Sequence, residues 1–179
     1  KTLSDLKDFR DKINNGTYSA WMSAKLEANI DMNGDEWTPI GDFNHQYCGI
    51  FDGNGYAIAN AKITSFSKGT MASSIATANT GGGDDGSRDV AFAGLFGVVD
   101  DATIKNLKLS SINIDVATTA LYTSASGILV GIVHKSATIE NVFVTKSSNK
   151  SNCCSYGDEY FSYVSGLVGA CFSVNKNID

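Results

Sequence analysis

The sequence lacks the features of several protein classes. Its 179 residues contain one proline, and charged residues make up only 18% of the chain, against roughly a quarter in an average globular domain. No stretch reaches the roughly eighteen consecutive apolar residues of a membrane span, so membrane insertion is not expected. The net charge is -5 and no window is rich in Lys or Arg, which argues against a nucleic-acid partner.

The four cysteines also lack the spacing of a metal site. Cys153 and Cys154 are adjacent, and two neighbours can hardly share one tetrahedral zinc ion. From their phase in the repeat described below, Cys48 and Cys171 are expected to be small core residues several turns apart, too distant to bridge each other. Any disulfide would therefore use Cys153 or Cys154, and the sequence leaves the oxidation state of these two residues and of Cys171 open.

Glycine is abundant, with 18 copies, and it brackets short apolar runs that recur along the chain. The runs lie at residues 94–97, 127–131 and 166–169, with a divergent copy at 49–53. A second element follows each run, at residues 58–63, 104–109 and 139–144, with a last copy at 175–178. Two elements that recur in a fixed order indicate a repeat architecture.

One asparagine marks each copy of the second element: Asn60, Asn106, Asn141 and Asn177. Asparagine tolerates the left-handed backbone conformation of a tight corner. Its amide can also hydrogen-bond to an identical neighbour above and below. We expect these four side chains to form a single structural column.

The repeat predicts an all-β fold, a right-handed parallel β-helix of about four to five coils. Each copy has short apolar alternations between turn residues and no helical stretch long enough for a βαβ unit. Stacked copies bury a shared core that one copy cannot bury alone. A short capping α-helix is expected at the N-terminus, where Leu3, Leu6, Phe9 and Ile13 share one helical face, with Ser4 as N-cap.

The chain is expected to be a single β-helix domain over residues 1–179. In order, its parts are a capping helix at 1–16, first coils at 17–65, an inserted loop at 66–91, middle coils at 92–146, a second inserted loop at 147–163 and a last coil at 164–179. Trp21 and Trp37 are assigned to the core near the cap.

These glycine-bracketed runs resemble the GLUG-motif proteins, whose Gly-Leu-hydrophobic-Gly signature is matched at residues 94–97 and 166–169. The stretches at 37–41 and 51–58 are similar to the lead-in that precedes such repeats. The resemblance implies a right-handed β-helix from a bacterial surface or secreted protein, often adhesin-like. It carries no catalytic motif. The expected location is extracellular or at the cell surface, after removal of a signal peptide that this chain does not contain.

Side chains on the inserted loops are the first candidates for binding, because insertions project from a solenoid body. In the second loop these are Tyr156, Asp158, Glu159 and Tyr160, which could contact a glycan or a protein partner. No cofactor is required by the sequence. Calcium is possible at two oxygen-rich turns, but neither has the spacing of an EF-hand loop. The candidate calcium ligands are Asp31, Asn33, Asp35, Asp84 and Asp85.

Alignment of the coils on their closing glycine places Asp100 beside His134 and Asp101 beside Lys135. A carboxylate beside an imidazole can do acid–base chemistry, although the second carboxylate of a glycoside hydrolase is missing from this phase. We therefore expect an adhesin-like binding module for a glycan or a host or matrix protein, without catalysis and as part of a larger surface chain or assembly. The alternatives are a polysaccharide-active enzyme and a passive structural spacer.

Overall fold

The computed structural model describes residues 1–71, 88–118, 123–153 and 162–172. This part of the chain is mostly β, with one helix at the N-terminus and parallel strands spread over several sheets. In chain order the elements are α1 (Leu3–Asn14), β1 (Ala24–Lys25), β2 (Ile30–Asp31), β3 (Ile50–Asp52), β4 (Ala57–Ala59), β5 (Lys62–Ile63), β6 (Ser67–Met71), β7 (Arg88–Ala93), β8 (Phe96–Val99), β9 (Ala102–Ser110), β10 (Asn113–Thr118), β11 (Thr123–Gly127), β12 (Val130–Val133), β13 (Ala137–Thr145), β14 (Ser148–Cys153), β15 (Ser162–Ser165) and β16 (Val168–Cys171).

Helix α1 confirms the predicted N-terminal helix, but its N-cap is Thr2 and not Ser4. Thr2 has the extended backbone that a cap needs, and its hydroxyl accepts a hydrogen bond from the Asp5 amide while the Asp5 carboxylate accepts one from the Thr2 amide. This reciprocal capping box places Ser4 inside the first turn. Leu6 and Ile13 are buried, and Phe9 packs against the same core.

The strands pair in parallel between successive segments of the chain. Strand β11 lies between β7 and β15, β12 between β8 and β16, and β10 between β5 and β14, while β13 pairs with β9. The register places apolar side chains opposite each other, so that Ile104 faces Ile139 and Leu107 faces Val142. Asn106 has a left-handed backbone conformation, so the alternation of β9 changes phase there and both Ile104 and Leu107 face the buried interior. Among the described residues, the buried apolar side chains form two clusters.

The closing glycines lie opposite one another, as the alignment of the repeats predicted. Gly131 takes the position opposite both Gly97 and Gly169. A Cβ atom would lie 3.1 Å from the Gly97 carbonyl oxygen if added at Gly131, and 2.6 Å from the Gly131 carbonyl oxygen if added at Gly169. Only glycine allows the backbones to approach this closely.

The divergent copy at residues 49–53 does not belong to this glycine column. Phe51 pairs with Ile104 of β9, whereas Ile40 forms the bridge to Phe96. The core decides the register, since the Phe51 ring packs edge-on against Phe96 with 5.2 Å between centroids. The true counterpart of the run at 94–97 is therefore Ile40 and Gly41.

The predicted single asparagine column is wrong. Asn141 donates to Asn106 at 3.0 Å, and Asn106 donates to Asp52 at 3.1 Å. Asn60 instead occupies a second corner, where its amide donates to Asp31 at 2.9 Å. The reason is a turn between β3 and β4, which adds residues opposite the uninterrupted strand β9 and shifts Asn60 to the next corner. Asn177 lies outside the described residues.

The positive φ angles confirm that these asparagines are corner residues. Asn106 and Asn141 have φ values of 53° and 54°, and Asn60 has 58°. In the second corner, Ser111 and Lys146 follow Asn60 with φ values of 55° and 51°. Few side chains adopt this region without strain, and asparagine is among the most tolerant.

Both predicted loops contain strands. Within residues 66–91, β6 and β7 pair in an antiparallel arrangement. Within residues 147–163, β14 pairs with β10 along its full length, and β15 begins at Ser162. Strand β14 has no apolar alternation, since its sequence is Ser-Asn-Lys-Ser-Asn-Cys, and the backbone pairing with β10 determines its conformation. Residues 72–87 and 154–161 lie outside the described part.

The interior side chains become more polar from β5 through β10 to β14. Ile114 of β10 lies opposite Ile63 on one side and Asn149 on the other. The Asn149 amide donates to the carbonyl oxygens of Ser126 at 3.0 Å and Ser165 at 2.8 Å. A polar cluster thus replaces apolar packing at β14. Near the N-terminus Trp37 is buried as predicted, but Trp21 is 64% exposed and does not belong to the core.

Candidate functional site

A cleft of about 390 Å³ opens between the segment that follows α1 and the segment before β3. Its polar and aromatic lining comes from Tyr18, Ser19, Phe43, Asn44, His45, Gln46 and Cys48. This volume is within the range of small-molecule sites.

Local turns fix the two walls of the cleft. Asp42 accepts hydrogen bonds from the backbone amides of Asn44 at 2.8 Å and His45 at 2.7 Å. The backbone of Cys48 donates to the Ala20 carbonyl at 2.8 Å, which joins the two walls. Gly16 has a φ of 74°, a backbone conformation that favours glycine, where the chain leaves the helix.

The cleft owes its existence to extra residues in the earliest segment. Ile40 lies opposite Phe96 and Tyr47 opposite Val99, so the chain between them is longer than the short strand β8 that it faces. The surplus residues leave the sheet and form one wall. Next to the other wall, Trp21 follows Ala20 and exposes 64% of its surface.

Behind the cleft, the Gln46 side chain contacts a buried cluster that contains His134 and Asp100. Its Oε1 atom lies 3.0 Å from Nδ1 of His134. The same Nδ1 atom lies 3.5 Å from Oδ2 of Asp100, and that oxygen accepts a hydrogen bond from Lys135 at 2.6 Å. Asp100 is 6% exposed and His134 is 9% exposed. Lys135 extends into solvent, with 56% of its side chain exposed.

The parallel pairing brings these residues to one corner. The amide of Asp100 donates to the Tyr47 carbonyl at 3.0 Å, and the amide of His134 donates to the Val99 carbonyl at 2.8 Å. Asp100 directly follows β8 and His134 directly follows β12, while Tyr47 lies in the segment before β3. Because β8 and β12 pair in parallel, the residues that follow them lie next to each other. Asp100 and His134 are therefore buried side by side.

Burial determines the charge states at this corner. It holds the pKa of His134 below its ordinary value, and the neighbouring Asp100 carboxylate only partly opposes this effect. The neutral ring therefore carries its proton on Nδ1, because Gln46 Oε1 can only accept. The pKa of Lys135 is raised by its hydrogen bond to Asp100. Burial and the Asp100 charge raise the pKa of Cys48, which makes its thiol a poor nucleophile.

The predicted pairing of Asp100 with His134 is present, but that of Asp101 with Lys135 is wrong. Lys135 binds Asp100, and the Ser136 hydroxyl donates to Asp101. Two residues connect β8 to β9, whereas three connect β12 to β13. The additional residue moves Lys135 back to Asp100 and brings Ser136 opposite Asp101.

In the first of the two candidate calcium turns, the carboxylates of Asp31 and Asp35 already bind other groups of the protein. Asp31 accepts hydrogen bonds from the Asn60 amide and the Asn33 backbone, and both lower its pKa. Asp35 forms an ion pair with Lys7 at 2.6 Å. Over residues 1–71, 88–118, 123–153 and 162–172, no three His, Cys, Asp or Glu side chains are grouped to hold a metal ion. Asp84 and Asp85 lie outside these ranges.

The predicted loop residues Tyr156, Asp158, Glu159 and Tyr160 also lie outside the described residues, as does Cys154. The prediction that Cys48 and Cys171 are core residues is wrong, since Cys48 is half-buried at the cleft and Cys171 is exposed. Both thiols are free. Sequence reasoning missed the cleft, and the one available signal was the long polar interruption between Ile40 and Ile50.

No protein-family model, curated protein or solved structure matches the chain. Within the described ranges, no helix combines the length and the apolar character needed to cross a membrane.

Proposed function

We propose that the chain is a right-handed parallel β-helix, as in the GLUG-motif proteins that it resembles, and that it serves as an adhesin-like binding module outside the cell. The parallel register of strands between successive segments supports the solenoid. The aligned glycines support it further, because a Cβ atom added at Gly97 or Gly169 would overlap a carbonyl oxygen of the neighbouring backbone. A solenoid of this kind presents fixed surfaces for a partner.

The cleft is the observation that carries the binding function. It offers the amides of Asn44 and Gln46 and the hydroxyl of Ser19 as donors and acceptors, beside the ring of Tyr18. Amides and hydroxyls match the hydroxyl groups of a sugar, and an aromatic ring packs against its apolar face. A glycan is therefore the ligand class that this lining fits best.

The positions of these groups are set before the ligand arrives. Gln46 is held through His134, and the wall that carries Asn44 is held through Asp42. Groups fixed in advance lose little conformational entropy on binding. Trp21, exposed next to the cleft, would extend the contact to a second sugar ring.

The test is a glycan array combined with a panel of extracellular-matrix proteins, applied to the native chain and to single variants. Gln46→Ala and Asn44→Ala remove one amide each from the cleft and should weaken glycan binding about fivefold or more, the usual net worth of a hydrogen bond. Asn152→Ala is the matched control, since it removes an exposed amide on β14.

Each outcome is informative. Loss of binding in the cleft variants with binding retained in Asn152→Ala supports the proposal. Binding that neither cleft variant weakens contradicts the cleft as the site. A native chain that binds nothing on the glycan and matrix panels favours the passive spacer, and glycans that are shortened on the array favour the enzyme.

A further inference from the structure

We propose that His134 is a positioning residue that holds Gln46 in its binding orientation, and that acidification releases Gln46 by redirecting the imidazole to Asp100. The inference rests on the proposed function of the cleft and adds a regulation to it. It makes glycan binding weaker in acid than at neutral pH.

The geometry gives His134 two competing partners on one side of its ring. Nδ1 lies 3.0 Å from Gln46 Oε1 and 3.5 Å from Asp100 Oδ2. A neutral ring gains most from the nearer amide oxygen. A protonated ring carries a full positive charge, and a hydrogen bond between two charged groups is roughly twice as strong as a neutral one.

Asp100 has the capacity to accept this additional donor. Its Oδ2 atom already binds Lys135, but its Oδ1 atom is buried and has no hydrogen-bond partner among the described residues. The Nε2 atom of His134 is likewise buried without a partner there. A proton taken from solvent on Nε2 therefore gives the ring a positive charge while Nδ1 lies close to a carboxylate with an unpaired oxygen, and no covalent bond is made or broken.

The charged and titratable groups around His134 affect the protonation of its ring in different ways. Asp100 attracts the imidazolium, and Lys135 opposes it with a like charge. Cys48 stays neutral at these pH values because burial raises its pKa. Asp101 is occupied by the Ser136 hydroxyl. His45 lines the cleft itself, so its effect on Gln46 has to be separated from that of His134.

The direction of the effect follows from burial. Because burial holds the pKa of His134 below its ordinary value of 6.5, the ring is neutral at pH 7 and takes its proton only in more acidic solution. Gln46 is then set for binding at neutral pH and freed as the pH falls through the lowered pKa.

The decisive experiment needs no ligand. In the native chain, the His134 ring signals and the Gln46 side-chain amide signals are followed by NMR across the acidic range. The expected result is a Gln46 amide shift with the same midpoint as His134, retained in His45→Gln and abolished in His134→Gln. A Gln46 amide that does not shift, or that follows His45, overturns the inference.

A second measurement tests whether the protonation of His134 changes glycan binding. On an array of neutral oligosaccharides, the native chain should bind roughly fivefold less tightly at about pH 5 than at about pH 7.5, a change equal to the loss of one hydrogen bond. His134→Gln keeps a side-chain amide near Gln46 and should bind equally at both values. If no oligosaccharide binds at either pH, the proposed function fails, while the NMR titration still decides whether His134 controls Gln46.

Discussion

The two ends of the strand stack are built differently. At the N-terminal end, α1 covers the first strands, and Phe9 packs against Tyr47 and Phe51 with ring centroids 5.9 Å and 6.3 Å apart. At the other end, the inward-facing side chains of β13, such as Ile139 and Val142, are only partly buried within the described structure. Their partners in β9 are completely buried.

Within the described residues, the two outer layers of strands therefore differ in composition. One end satisfies its apolar interior with a helix that contributes its own apolar face. The other end reduces the apolar character of the interior, replacing isoleucine by Asn149 and valine by Ser151 at equivalent positions. Polar interior groups require hydrogen-bond partners, and Asn149 finds them in the backbone of Ser126 and Ser165.

The sharpest test compares two isoleucines that face each other. Ile104→Ala, in the completely buried layer, should lower the free energy of unfolding by about 2–5 kcal/mol. Ile139→Ala, directly opposite in the partly buried layer, should cost roughly half as much because less surface leaves water on folding. Chemical denaturation of both variants provides the measurement. Equal losses would mean that the layer of β13 is as well covered as the layer of β9.

The second test concerns the polar interior. Asn149→Ala leaves the carbonyl groups of Ser126 and Ser165 without their donor, which should cost about 1–3 kcal/mol. Asn152→Ala, an exposed change on the same strand, is the control and should leave the denaturation midpoint nearly unchanged. If the two variants unfold alike, the Asn149 network does not stabilise this layer.

The smallest effect is expected at the opposite end. Thr2→Ala removes the N-cap of α1 and should cost about 1 kcal/mol. Ser4→Ala, inside the first turn, should be nearly neutral or slightly stabilising, because alanine favours helix. Thermal melts of the two variants make the comparison. A larger loss at Ser4 than at Thr2 would contradict the capping box.

The sequence predicted those parts of the fold that depend on local chemistry repeated in register. The closing glycines, the stacked pair of Asn106 and Asn141, and the proximity of Asp100 to His134 all follow from repeated spacing, and the N-terminal helix follows from its own apolar face. The position of Asn60 could not be predicted in this way, because the turn between β3 and β4 adds residues that no periodic pattern reveals. Strand β14 was missed for a related reason, since pairing with β10 and not an apolar alternation defines it.

The candidate site was harder to predict than the fold. Its cleft arises where the chain departs from the repeat, between Ile40 and Tyr47, and a departure has no template in the other copies. The charge partners at the corner were half right, because one additional residue after β12 was enough to bring Lys135, the predicted partner of Asp101, to Asp100 as well. Sites formed by insertions depend on three-dimensional paths that sequence spacing does not determine.

The unequal connections at the corner of Asp100 have an evolutionary consequence. Two residues link β8 to β9 and three link β12 to β13, yet the strands on either side remain in register. Length differences are thus absorbed at corners without disturbing the neighbouring layers. A one-residue insertion or deletion at this corner can therefore be tolerated while β12 stays paired with β8 and β13 with β9.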